Sequence, residues 1–164
     1  MTTRPSLLLP VRPFRQTPGY CGAASLKMVL DYFGTHKTER ELARLTHSTR
    51  TLGAPPSSLV AVARKLGFHA SVKTGASFTD LQSYLRRRIP VIVDWFNTDD
   101  GHYSVVVGLT RTHIILQDPE LGRTRTLTQE TFYRVWFDFT GPYLRSPKEL
   151  HLRLIVVVYP ERRT

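Results

Sequence analysis

The chain changes its hydrophobic rhythm at Pro90, and that change decides what it can fold into. Before Pro90, apolar residues recur mainly at three- and four-residue spacing, the signature of helices packed by one face. After it, β-branched and aromatic residues gather in short runs separated by turn-formers, which suits strands. In Cys21–Phe33 the face is marked by Ala24, Met28, Val29, Tyr32 and Phe33, and Gly34 supplies the stop. Thr38-Glu39-Arg40-Glu41 has capping-box form, so Thr38–Leu45 is expected as a second, short helix. Gly53-Ala54-Pro55-Pro56 reads as a loop. Ser57–Leu66 follows as a helix, with Ser57 or Ser58 as cap and Gly67 as terminator. His69–Lys73 suits a strand, and Thr79-Asp80-Leu81-Gln82 again has capping-box form, opening a helix to about Arg87.

Beyond Pro90, the segments Pro90–Phe96, His102–Leu109, His113–Gln117 and Leu152–Tyr159 read as strands, with a helical pattern over Thr128–Phe137. The turns between the first three are tight and favour antiparallel pairing. Helices first and strands after indicate an α+β domain, its N-terminal helices packed beside an antiparallel sheet. There is no internal repeat, low-complexity tract or shift of composition, so residues 1–164 read as one domain. A chain of this length buries roughly 70% of its unfolded surface.

One cysteine excludes an internal disulfide, and nothing points to an oxidising compartment. Leu7-Leu8-Leu9 is closed by Pro10, too short for a signal h-region, and no run approaches the roughly 20 apolar residues of a membrane span. A cytoplasmic location is expected. The formal charge is +10, with Arg86-Arg87-Arg88 the one dense run. The charges are otherwise scattered and carry no nucleic-acid signature, so they read as a solvated surface and no specific nucleic-acid partner is expected.

The sole cysteine, Cys21, lies where a loop of turn-formers ends and a helix begins. There the positive end of the helix dipole favours thiolate, although a lone cysteine at a helix start is also a common packed residue. A cysteine nucleophile needs a base, a group to orient the base, and donors for an oxyanion. His102 opens a Val-rich strand after the polar loop Asn97-Thr98-Asp99-Asp100-Gly101, rigidly held yet open to substrate. If Thr110-Arg111-Thr112 is a three-residue turn, Ser104 falls opposite Asp118, and His102 lies diagonal to it on the same face. A two-residue turn would set Val105 opposite Asp118 and turn the carboxylate away. Asp94, Asp99 and Asp100 are rival orienting acids. Gln16 can fold back over Pro18-Gly19 beside Cys21 and offer its amide, together with the Cys21 N–H, to an oxyanion. His113 near Asp118 finds no convincing further ligand and no ligand-spacing motif, so neither metal nor cofactor is implied.

Gln16, then Cys21-Gly22-x-Ala24-x-Leu26-x-Met28, then Gly101-His102-Tyr103-Ser104-Val105-Val106-Val107-Gly108, then Gln117-Asp118-Pro119 resemble the C39 cysteine peptidases and their stand-alone relatives in the papain-like superfamily. The resemblance covers roughly Val11 to Gly122. It implies a papain-like cysteine protease fold, with Cys21 as nucleophile, His102 as base, Asp118 as its orienting acid and Gln16 as oxyanion donor. It implies a peptide or protein substrate cleaved through an acyl-thioester. The same chemistry serves transpeptidation or deamidation, and the same fold serves non-catalytic peptide binding. The best-known members are fused to peptide-exporting transporters and cut after a Gly-Gly pair. This chain has no transporter segment, and that substrate is not carried over.

Overall fold

A computed structural model describes residues 7–161. The elements run α1 (Cys21–Tyr32), α2 (Glu39–Leu45), α3 (Pro56–Lys65), β1 (Phe68–Lys73), α4 (Phe78–Arg86), β2 (Val91–Asn97) and β3 (Asp100–Leu109). They continue with β4 (His113–Asp118), β5 (Arg123–Thr128), α5 (Gln129–Val135), β6 (Phe137–Asp138), β7 (His151–Leu152) and β8 (Leu154–Pro160). Among the described residues, β1-β8-β2-β3-β4-β5 form a wholly antiparallel sheet in that order, and β6 pairs with β7. The α+β class with N-terminal helices against an antiparallel sheet is the architecture found. No described helix is long and apolar enough to cross a membrane.

Helix starts follow local chemistry closely. Thr38 caps α2 in a full capping box with Glu41, as its spacing predicts. The cap of α4 is Ser77, boxed with Asp80, rather than Thr79 with Gln82; the helix starts two residues earlier than that spacing predicts. Neither Ser57 nor Ser58 caps α3, because Pro55-Pro56 starts that helix and an N1 proline has no N–H to satisfy. The strand β5 has no counterpart among the expected elements, because Arg123-Thr124-Arg125-Thr126 carries no apolar alternation.

The β3–β4 register departs from the route expected for it. Beside the turn, Leu109 pairs with Ile114 and Gly108 with Ile115, the register of a two-residue loop, Arg111-Thr112. Thr110 N–H donates to the His113 carbonyl (2.9 Å) to close it. A bulge at Val107 then shifts the pairing, so that Val106 meets Leu116 and Val105 meets Gln117. That register, continued by one residue, sets Ser104 opposite Asp118. The bulge, rather than an odd turn, supplies the register the site needs. It is held from outside the hairpin: Leu9 N–H donates to the Val107 carbonyl (2.9 Å), and Leu8 bridges Gly108.

The core forms where the sheet meets its helices. Leu26, Val29 and Leu30 of α1 and Val91, Val93, Val105 and Val156 of the sheet are buried. Trp95, Phe132, Trp136 and Phe78 form an aromatic cluster with centroids 5.2–6.4 Å apart.

Candidate active site

Cys21 is the first residue of α1, a helix start that, like that of α3, has no side-chain cap. Its N-cap, Tyr20, makes no side-chain cap, and no acidic residue occupies the first turn. By contrast α2, α4 and α5 are capped by Thr38, Ser77 and Thr128. The leading N–H groups of α1 and the positive end of its dipole are thus left to whatever sits at Cys21. The approach is a tight turn over Thr17-Pro18-Gly19-Tyr20, closed by Tyr20 N–H to the Thr17 carbonyl (3.0 Å). Gly19 there has φ +87°, and a Cβ on it would strike the Arg50 backbone.

Three consecutive residues of β3 meet this region. Gly101 lies under the Asp138 carboxyl, which leaves no room for a Cβ. Tyr103 packs against Gly22 and donates from its hydroxyl to the Ala54 carbonyl (3.1 Å). Between them is His102, buried, with Nε2 2.7 Å from Asp118 Oδ1. That bond uses Nε2 and leaves Nδ1 uncommitted to Asp118. Burial disfavours the imidazolium. The hydrogen bond to Asp118, then the nearby Cys21 sulfur and the Asp118 charge, outweigh it, raising His102 to about 9.

Asp118 is the end of β4, with a side chain wholly removed from solvent. Its Oδ1 also accepts the Glu120 N–H (3.0 Å), and Oδ2 accepts Arg125 Nη1 (3.1 Å). Burial alone would push this carboxyl up. The His102 bond and charge, then Arg125 and the Glu120 N–H, hold it below the ordinary carboxylate range. His102, Asp118 and Glu120 also lie close enough to suggest a metal site. Their facing atoms are already committed: Asp118 Oδ1 to His102, and Glu120 Oε2 to Asn97 Nδ2 at 2.7 Å. The cluster is a hydrogen-bond network. His113, the other metal candidate, begins β4 while Asp118 ends it, and its Nδ1 lies 2.8 Å from Thr112 Oγ1.

Gln16 is tied to the same end of the sheet, its N–H donating to the Pro119 carbonyl (2.8 Å). Its side-chain Oε1 is buried without a partner. The structure therefore brings the loops of Gln16 and Asp118 together, and the starts of α1 and β3 with them. Asp99 and Asp100, the rival acids, take no part in the His102 bond; Asp100 instead accepts the Gly101 N–H (2.8 Å).

The third rival, Asp94, is buried in a second cluster with the partly exposed His151 and Asp138. His151 Nδ1 lies 3.9 Å from Asp94 Oδ2, too long for a hydrogen bond but close enough for charge to raise His151. Burial, then the neighbouring Asp94, raises Asp138 to about 8. Asp94 Oδ1 has no hydrogen-bond partner among the described residues, and a proton held by Asp138 would give it a donor. His151 and Asp138 carry no motif, and only their long-range approach reveals them. Arg125 and Asn97 were likewise missed, although the Arg-Thr alternation of β5 was a period-two signal.

Residues 15–140 match the peptidase C39 family. An uncharacterized protein of Methanothermobacter marburgensis is 34% identical over 136 residues, covering 82% of this chain and 87% of the relative. The transport/processing ATP-binding protein ComA of Streptococcus pneumoniae is 31% identical over 130 residues, 77% of this chain but only 18% of that protein. Among solved structures, the peptidase domain of Streptococcus ComA superposes with a TM-score of 0.73 at 25% identity, covering 92% of this chain and 99% of that one. A double-glycine motif protease from an AMS/PCAT transporter, solved with its leader peptide, gives 0.70 at 20% identity over 95% of this chain and 96% of that one. The fold is the papain-like arrangement of these domains, and the chain belongs to the peptidase C39 family.

Proposed function

We propose that the chain acts as one thiol peptidase domain, cleaving a peptide bond with Cys21 as nucleophile. The observation that carries this is the His102–Asp118 bond through Nε2, which leaves Nδ1 for a thiol on an uncapped helix start. The Cys21 proton resides on His102 Nδ1, and the thiolate attacks the scissile carbonyl. The oxyanion accepts from the Gln16 amide and the Cys21 N–H. His102 protonates the leaving amine, and the acyl group stays on sulfur as a thioester. Water then attacks, giving one proton to His102, and the acid leaves as Cys21 is regenerated. Asp118 keeps the imidazole oriented and stabilises its charge throughout. The leader peptide bound by the AMS/PCAT neighbour supports a peptide substrate here.

Mass spectrometry of a peptide mixture incubated with the whole chain tests the reading. Discrete cleavage products that disappear in Cys21→Ala and His102→Ala are expected. Products that persist in Cys21→Ala would overturn it. An added peptide amine separates hydrolysis from acyl transfer, since a transferase joins the acyl group to that amine whereas a hydrolase releases the free acid.

A further inference from the structure

We infer that Arg125 is the positioning residue of the Cys21–His102–Asp118 unit, holding Asp118 as a charged carboxylate aimed at His102. The inference rests on the peptidase reading above. A carboxylate whose side chain has no exposed surface must find its counter-charge inside the protein. Oδ1 is occupied by His102 and the Glu120 N–H; Oδ2 accepts from Arg125. Arg125 pairs with Leu116 across β4–β5, which sets it diagonal to Asp118, within reach of a long side chain.

Arg125 is itself fixed from two directions. Its Nη1 also donates to Asn97 Oδ1 (3.2 Å), Asn97 Nδ2 donates to Glu120, and the Glu120 N–H returns to Asp118. The ring of contacts is closed. The guanidinium lies over Trp95 at 5.1 Å, and Trp95 stands edge-on to His102 with centroids 5.7 Å apart. Trp95 is anchored in turn by its indole N–H donating to Ser104 Oγ (3.1 Å). Arg125 thus supports both the acid and the wall of the imidazole, acting through Asp118. Imidazole, carboxylate and guanidinium thus follow one another along a line of contacts that ends at Arg125.

The test is the pH dependence of iodoacetamide alkylation, which reads Cys21 alone because the chain has no other cysteine. Wild type, Arg125→Met, Arg125→Lys and His102→Ala are compared, with urea unfolding to verify each fold. Without Arg125 the buried Asp118 takes up a proton at higher pH and the imidazolium loses its support. The acid limb of alkylation should move up by about one pH unit or more in Arg125→Met, as expected for losing a close opposite charge. Arg125→Lys, which keeps the charge, should stay near wild type. Arg125→Gln, neutral but able to donate, is expected to shift like the methionine variant and replaces it if that chain does not fold. An unshifted neutral variant, or a lysine variant shifted as far as the neutral ones, overturns the inference. His102→Ala separates the two levels. If it keeps the wild-type acid limb, the peptidase reading fails; if it loses that limb while Arg125→Met keeps it, only the role of Arg125 fails.

Discussion

His102 Nε2 lies 2.7 Å from Asp118 Oδ1, and both side chains are buried. The distance is that of a charge-assisted bond. It leaves Nδ1 as the imidazole nitrogen that the proposed nucleophile would use, and it offsets the burial that would strip His102 of its proton. Its consequences are measurable in solution.

The His102 ring should titrate near pH 9, read from imidazole carbon shifts in the labelled protein. Because the folded value lies above the unfolded one near 6.5, the charged ring adds stability that is fully present below about pH 6.5. That contribution is lost as pH rises through about 9. Urea unfolding of His102→Gln between pH 6 and 10 should therefore lack part of the wild-type decline; identical slopes would refute the assignment.

Replacing Gln16 by Ala should leave the fold intact and lower turnover on the order of 10²–10³-fold, the usual loss for one oxyanion donor. The loss should fall on kcat more than on KM, because the donor acts on charge that develops only during attack. Equal turnover would remove Gln16 from the site.

Asp138 should make the protein less stable as pH rises from about 4 to about 8. Its folded value is raised to about 8, so across that window the native state retains a proton that the unfolded chain releases. Asp138→Asn keeps a donor for Asp94 without the titration, and its stability should decline less steeply with pH. An unchanged slope would show that Asp94 and Asp138 do not share a proton.

Gly101→Ala should destabilise by about 1–3 kcal/mol, the range for overpacking a filled site. The new methyl would occupy the place of the Asp138 carboxyl, beside His102 in the chain. Combining Gly101→Ala with Asp138→Gly should recover much of the loss, since the clash needs both partners. Additive effects in thermal unfolding would contradict that contact.

The sequence makes the proposed nucleophile legible because Cys21 follows Pro18-Gly19 and starts an amphipathic run, all within a short stretch. The capping box at Thr38 is legible for the same reason: its partners lie three residues apart. Asp118 is reachable only through strand register, and register depends on a bulge at Val107 that an unbroken Val run conceals. Arg125 and the Asp94–Asp138–His151 cluster are harder still. Their partners come from separate strands, and β6 and β7 are two residues each, too short to show a period.

The most direct test of the central claim, that Cys21 and His102 act as an ion pair, is the second-order rate of Cys21 alkylation by iodoacetamide at pH 6. The account predicts fast labelling in the wild-type protein and a loss of at least about tenfold in His102→Ala, since the thiolate then lacks its proton acceptor and counter-charge. Equal rates in the two proteins, with both folded, would contradict it.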